Sequence, residues 1–146
     1  MPLLPRRLII AAALLCFALW GHAIALGASH PGPEFSQAEA VVAEVILTFL
    51  LMIVILTTAE EEATIGKQAA LAVGLTVAAC GFFAGPVSGA SMNPARSIPP
   101  QLLGGVYHLV WIYALAPCIG AVVAAFVTMA FFAQPGKGVR KAGRGG

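Results

Sequence analysis

The sequence predicts an all-α membrane protein with about four transmembrane helices and one re-entrant half-helix. Three observations carry that prediction. The 146 residues are 60% hydrophobic and only 10% charged, with a mean hydropathy of +0.92, whereas a soluble domain carries about 25% charged residues. The apolar residues gather into four runs, about 8–26, 40–58, 69–87 and 110–132, and a helix of about 19 residues spans roughly 28 Å, close to the hydrocarbon thickness of a bilayer. Between the third and fourth runs lies SGASMNPARS, residues 88–97, a polar string inside an otherwise apolar half.

The elements follow in order. Residues 1–7, with Arg6 and Arg7, read as a cytoplasmic N-terminus, and 8–133 as the transmembrane region. The first run has a second reading. A basic start, an apolar core and Ala23-Ile24-Ala25 also describe a cleaved secretory signal. Cleavage would remove residues 1–25 and leave three spans with the C-terminus still inside, so both readings stand. The Arg6-Arg7 pair lacks the flanks of a twin-arginine signal. The first connector, Gly27–Glu39, holds His30, Pro31, Gly32, Pro33 and Glu34. The second span contains Glu44, the one carboxylate deep in an apolar run, and an intramembrane acid is a functional candidate by default. The second connector, Ala59–Gln68, reads as a solvated cytoplasmic turn around Glu60, Glu61 and Glu62. The third connector runs from Ser88 to Leu109. The tail, 134–146, is rich in Gly, Lys and Arg and reads as disordered and cytoplasmic.

Charge sets the orientation. With four spans and the N-terminus inside, Arg6, Arg7, Lys67, Lys137, Arg140, Lys141 and Arg144 all fall inside and only Arg96 falls outside, a bias of seven to one. Both termini are then cytoplasmic, in the cell (plasma or inner) membrane, and Arg96 needs a reason to be where it is.

Several function classes are excluded. A net charge of +2 is too small to argue for nucleic acid. Cys16, Cys80 and Cys118 lie in apolar runs without metal-ligand spacing and read as small buried hydrophobes. His22, His30 and His108 sit near helix ends without paired spacing. No carboxylate pair, nucleophile–base arrangement or phosphate-cradling glycine loop is placed for chemistry. No enzyme, cofactor or metal is expected.

The third connector is where chemistry concentrates. Gly85-Pro86 is expected to close the preceding helix, and Gly89 and Ala90 to allow a tight backbone path. Asn93 then sits at an N-cap and Pro94 at the first helical position. Residues 93–103 continue as a short helix that Gly104-Gly105 ends, too short to cross a bilayer. Irregular backbone at membrane depth survives only when buried in protein or lining a wet cavity. The helix N-terminus presents unpaired N–H groups and a partial positive charge. Asn93 can cap with its oxygen and offer its amide N–H2 to a passing solute. Arg96, one turn on, adds a fixed charge and a fork of donors. Such a constriction suits neutral solutes that offer an oxygen, such as water or polyols, and repels cations. Asn-Pro alone is a common helix start, and a lone Arg near a membrane face usually snorkels to the headgroups. The whole string between two spans points instead to a pore.

GLTVAACGFFAGPVSGASMNPARS, residues 74–97, resembles the second signature of the major intrinsic proteins, the aquaporins and aquaglyceroporins. Ala43-Glu44 with Thr48-Phe49 is similar to that family's fourth helix, and WIYALAPCIGA, from Trp111 to Ala121, to its sixth. LGASHP at 26–31 is similar to the loop after its third helix. The resemblance is closest from Glu44 to Ala130. It implies a partial aquaporin-like fold that passes water or small uncharged solutes such as glycerol. Asn93, Pro94 and Ala95 match the family's triplet and Arg96 its filter arginine. The helix-five filter position falls on Gly81 and the loop filter position on Ala90. Both are small, which implies a wide filter that admits solutes larger than water, such as glycerol, urea or neutral metalloid hydroxides. Glu44 matches a structural acceptor for loop backbone N–H groups. Ala116, Gly120 and Ala124, and likewise Ala70, Gly74 and Ala78, are stripes of small residues suited to close helix packing.

The chain departs from the family in one respect. The family has six spans and two such triplets, where this sequence shows four runs and one triplet. Inverted-repeat folds place the site between two halves, so an N-terminal half-channel or a homo-oligomer is the expected partner besides the lipid bilayer and the solute. The charge bias weighs against the inverted copy that a homodimer would need. The alternatives are a truncated fragment without transport and a signal-cleaved membrane interaction protein.

Overall fold

The computed structural model describes residues 27–59 and 62–131, together with Leu15, Ala18 and Leu19. The remainder of the run at 8–26, the possible signal cleavage site, Glu60, Glu61 and the tail at 134–146 lie outside the described residues. The described part is all-helical. It contains α1 (Gln37–Ala59), α2 (Glu62–Ser88), α3 (Pro94–Leu103), a 3-10 turn (Tyr107–Leu109) and α4 (Val110–Phe131). Three segments, Gln37–Thr58, Gln68–Ser88 and Tyr107–Phe131, are long and apolar enough to cross a membrane, with mean hydropathies of 2.7, 1.9 and 2.2.

α1 begins three residues before the expected span at 40, and its start is a reciprocal cap. The Ser36 backbone N–H donates to Glu39 Oε2 at 2.7 Å, and the Glu39 N–H donates to Ser36 Oγ at 3.2 Å. This Ser-x-x-Glu box satisfies two of the otherwise orphaned donors at a helix start. α2 begins at Glu62 instead of near residue 69, because Glu62 to Gln68 contains good helix formers such as Ala63, Lys67 and Gln68. Glu62 therefore belongs to a helix and not to the acidic turn.

Gly85-Pro86 does not close α2, which continues to Ser88. Pro86 removes only one intrahelical hydrogen bond in the last turn, and tertiary partners take up the end. The Gly32 N–H donates to the Val87 carbonyl at 3.2 Å and the Tyr113 hydroxyl donates to the Ser88 carbonyl at 2.6 Å. The stop falls at Gly89, whose φ of +80° and N–H to the Gly85 carbonyl (2.8 Å) form a left-handed helix C-terminus.

Packing directions follow from who meets whom. Ser88 bonds Glu44, and Cys80 and Ala84 pack with Leu47 and Leu51, so α2 runs antiparallel to α1. Val41 packs against Ile112 and Tyr113, and Gly120 lies against Val45, Thr48 and Phe49, so α4 runs parallel to α1. The end of α2 and the start of α4 therefore lie at the same end of the bundle. The short α3 is entered and left from that end. At 1.5 Å per residue its ten residues reach roughly 15 Å, about half a bilayer core.

α1 is the hub, packing most extensively on α4 and next on α2. Ala116, Gly120 and Ala124 are all buried. A Cβ at Gly120 would collide with the Val45 carbonyl oxygen and lie 3.1 Å from Phe49 N. The other small-residue stripe behaves differently. Ala70, Gly74 and Ala78 are exposed, and a Cβ at Gly74 would meet nothing within 4 Å. That stripe packs against nothing among the described residues, because α2 touches α1 through its opposite side.

Gly120→Val is expected to lower stability by about 1–3 kcal/mol through overpacking. Gly74→Ala should stay within about 0.5 kcal/mol of the parent. Thermal unfolding of the two variants in one detergent checks the contrast.

Candidate functional site

The segment from Ser88 to Asn93 carries the site, and it is a strained piece of backbone held from outside. Ala90 and Met92 have positive φ values of 43° and 53°, uncommon for residues with a side chain. Each such residue costs on the order of 1 kcal/mol or more and persists only where the surroundings over-determine it. Here they do. Glu44, fully buried on α1, accepts three donors: the Ser88 hydroxyl at 2.7 Å and the Ser91 N–H at 2.8 Å on Oε1, and the Met92 N–H at 2.8 Å on Oε2. The Ser88 hydroxyl in turn accepts the Ala90 N–H at 3.2 Å. The Ala90 and Met92 side chains pack with Leu47 and Cys80. The turn is thus pinned both by hydrogen bonds and by apolar contact.

That pinning delivers α3 with its N-terminus pointing into the bundle. Asn93 is the N-cap, with extended backbone (φ −155°, ψ 115°), and its Oδ1 accepts the Ala95 N–H at 2.9 Å. Pro94 stands at the first helical position, where its missing N–H costs nothing. Pro99 and Pro100 lie inside α3 and remove intrahelical donors, so tertiary contacts hold this helix. Ser97 and Gln101 form its buried face. At the other end, the Gly104 N–H donates to the Pro100 carbonyl and the Val106 N–H to the Gln101 carbonyl, both at 2.8 Å.

A cavity of about 640 Å³ opens in front of this N-terminus. Asn93, Pro94 and Arg96 line it, together with Gly81 and Ala90. These five sequence-predicted residues therefore share one space, Gly81 from α2 and the other four from the stretch 90–96 that forms the turn and the start of α3. Ala95 is exposed but is not part of the lining. Glu44 lies behind the wall, out of contact with the space. Cys118 corrects the expectation of three buried thiols: Cys80 is buried, but Cys118 is exposed and lines the cavity. Cys16 and His22 lie outside the described residues. His30 bonds the Pro31 carbonyl through Nδ1 at 3.0 Å, and no metal-binding cluster of His, Cys, Asp or Glu occurs among the described residues.

Arg96 also lines a second space of about 360 Å³, shared with Ser29, His30 and Gly32 from the segment before α1. Its Nη1 donates to Ser29 Oγ at 3.3 Å and to the carbonyls of Gly89 and Ala90 at 3.5 and 3.4 Å. Sequence reasoning missed this segment's role. Its only local signal is glycine. Gly32 lies so close to the Pro86 carbonyl that a Cβ would collide with it, and a Cβ at Gly89 would come 3.1 Å from Ser29 Cα. The buried hydroxyls of Ser29, Ser91 and Ser97 and the Gln101 amide were likewise unpredicted, since single serines carry no spacing pattern.

Glu44→Gln keeps the shape of this site but replaces one acceptor oxygen with a donor that faces another N–H. The loss is expected to be about 2–3 kcal/mol of stability, with faster amide hydrogen exchange at Ser91 or Met92. Thermal unfolding and residue-resolved exchange check both effects. Unchanged exchange at the two amides would mean that Glu44 does not hold the turn.

Comparison with known proteins gives this geometry its context. The family model for the major intrinsic proteins matches residues 8–128, which includes the whole of the first apolar run at 8–26. Aquaporin NIP1-1 of Zea mays is 48% identical over 94 residues, covering 64% of this chain and 33% of that protein. Nodulin-26 of Glycine max is 44% identical over 95 residues, covering 65% of this chain and 35% of that protein. The chain thus matches about a third of the length of these curated relatives. Among solved structures, the aquaglyceroporin from Plasmodium falciparum has the same fold, with a TM-score of 0.68 at 23% identity, over 84% of this chain and 59% of that one. With most of its length matched by the family model, the chain belongs to the major intrinsic proteins, a family of membrane channels and not of enzymes.

Proposed function

We propose that this chain forms one wall of a transmembrane channel that passes small uncharged solutes, glycerol and water among them. The observation that carries the reading is the cavity of about 640 Å³ onto which Asn93, Pro94, Arg96, Gly81 and Ala90 all open. The Asn93 side-chain N–H2 supplies donors to a solute oxygen, and the α3 N-terminus adds a partial positive charge. Arg96 supplies a fixed positive charge at the same place, which repels protons and metal cations while leaving neutral solutes free to accept hydrogen bonds. Among the described residues no carboxylate pairs with Arg96 to cancel that charge. Gly81 and Ala90 put almost no volume into the space, and a Cβ at Gly81 would meet nothing within 4 Å. That room favours glycerol-sized solutes over water alone.

A partner completes the channel in this reading. α2 leaves Leu71, Leu75, Phe82 and Phe83 exposed, so its outer side is free for lipid or for further helices. An N-terminal half-channel on a separate stretch of protein fits the family's two-half plan. A homo-oligomer is the competing arrangement. In this reading the charge bias places both termini in the cytoplasm, and the membrane is the plasma or inner membrane. A fragment without transport is the outcome if no partner exists.

Stopped-flow light scattering on liposomes that hold the full chain, challenged with sucrose and then glycerol, tests the reading. Shrinkage or glycerol re-swelling faster than in empty liposomes, and lost in Arg96→Ala, would mean that the chain assembles its own pore and would overturn the one-wall arrangement. Rates equal to empty liposomes would reduce the chain to at most one wall, and the same assay with a co-reconstituted N-terminal half would then decide. Where transport is seen, Gly81→His should cut glycerol flux about tenfold or more while sparing water, since an imidazole fills the space a larger solute needs. Equal loss of both would remove Gly81 from the filter.

A further inference from the structure

Arg96 is held by a chain of hydroxyls whose direction can be worked out from its far end. The Ser91 hydroxyl donates to the Asn93 carbonyl at 3.0 Å. The Ser97 hydroxyl donates to Ser91 Oγ at 2.6 Å. Ser29 Oγ lies 2.6 Å from Ser97 Oγ. Because the Ser97 proton is already committed to Ser91, the shared proton of this last pair belongs to Ser29. The Ser29 oxygen then turns its lone pairs toward Arg96 Nη1, 3.3 Å away. Every hydroxyl in the relay donates away from the guanidinium. Hydrogen bonds aligned in this way polarise one another, so the far members make Ser29 a better acceptor.

The relay is built in. Ser29, Ser91 and Ser97 are buried, at 3%, 2% and 0% exposure. The fully buried Gln101 donates its Nε2 to the Ser29 carbonyl at 2.8 Å and fixes that residue's backbone on α3. The other two acceptors of Arg96, the Gly89 and Ala90 carbonyls, belong to the pinned turn. Ser29 is the only side chain that accepts from Arg96 among the described residues, and it comes from a stretch 67 positions away in sequence.

We propose that Ser29 is a positioning residue for Arg96, so that the segment before α1 helps set selectivity at the constriction. The inference rests on the reading of Arg96 as the filter arginine. Ser29 gives the guanidinium a neutral partner. A carboxylate there would hold it as well but would cancel the field that excludes cations. A neutral hydroxyl fixes the orientation and leaves the charge.

The test reads the guanidinium itself. The full chain in lipid nanodiscs is treated with phenylglyoxal, which condenses with accessible guanidinium groups, and the rate at Arg96 is followed by peptide mass spectrometry. Ser29→Ala is expected to raise that rate about tenfold, the size of one lost hydrogen bond to a charged group. Ser97→Ala, one step along the relay, should give a smaller rise, and it decides the matter if Ser29→Ala does not fold. Ser36→Ala is the control. It removes a hydroxyl from the same loop, breaks the α1 cap and touches nothing near Arg96, so it should leave the rate unchanged. An unchanged rate in Ser29→Ala and Ser97→Ala, or an equal rise in Ser36→Ala, overturns the proposal. Proton and glycerol fluxes on the same variants in liposomes separate the two ideas. Selective labelling with no flux, either from the chain alone or with a co-reconstituted N-terminal half, keeps the positioning role and sinks the channel reading. Flux with unchanged labelling keeps the channel and sinks the positioning role.

Discussion

A chain that turns back inside an apolar bundle must find partners for its backbone, and Glu44 is where this one finds them. The turn at Ser88–Asn93 leaves helical geometry at the end of α2 and does not regain it until Pro94. Past Gly89, whose N–H still reaches the Gly85 carbonyl, its buried N–H groups have no i−4 carbonyl to serve them. One fully buried carboxylate takes two of them and the Ser88 hydroxyl. The Tyr113 hydroxyl takes the Ser88 carbonyl from the α4 side. α1, α2 and α4 are thereby tied to one turn of six residues. A buried carboxylate is costly unless fully bonded, so the turn stabilises Glu44 as much as Glu44 stabilises the turn.

The rest of the site depends on that mutual fit. Once Ala90 and Met92 are held at positive φ, the direction of Asn93 is set, and α3 must begin facing the cavity. A helix start placed there brings a partial positive charge without a separate ionised group. Arg96 follows one turn later and meets the same cavity from the side. Its partners are two carbonyls and a hydroxyl, all neutral, which leaves its charge available to the space in front of it. Small residues serve both ends of this arrangement. Gly120 lets α4 approach α1 closely, Gly32 lets the segment before α1 lie on the end of α2, and Gly89 lets it lie on the turn.

Three expectations share one feature: each judged a local pattern without knowing which side of a helix faces its neighbour among the described residues. Pro86 looked like a helix stop, but the Gly32 N–H and the Tyr113 hydroxyl serve carbonyls of the last turn and the helix runs on to Ser88. Ala70, Gly74 and Ala78 looked like a packing stripe equal to Ala116, Gly120 and Ala124, yet only the second set is buried. Cys118 looked like Cys80, but it sits on the cavity side of α4. The cap of α1 is a different kind of miss. Ser36 and Glu39 carry a readable Ser-x-x-Glu signal, and it places the helix start three residues earlier than hydropathy does.

What the sequence determined by itself was everything written in short-range chemistry. Long apolar runs dictate membrane-length helices, because a backbone in an apolar medium must satisfy its own hydrogen bonds. Asn93-Pro94 dictates a helix start and Gly104-Gly105 its end, because caps depend on a few adjacent residues. The lone acid at Glu44 marked itself as a functional candidate, because a carboxylate among alkyl chains is costly, and the family resemblance implied its role as an acceptor. Only the tertiary structure decided which residues share the cavity and what holds Arg96 in place. Ser29, Ser91, Ser97 and Gln101 are ordinary polar residues in sequence. They become a directed relay because α1 and α4 run parallel, α2 runs between their ends in the opposite sense, and the loop before α1 is thereby laid across the start of α3. A hydrogen bond between residues 67 positions apart has no local signature, since its geometry is set by the packing of helices that neither residue belongs to.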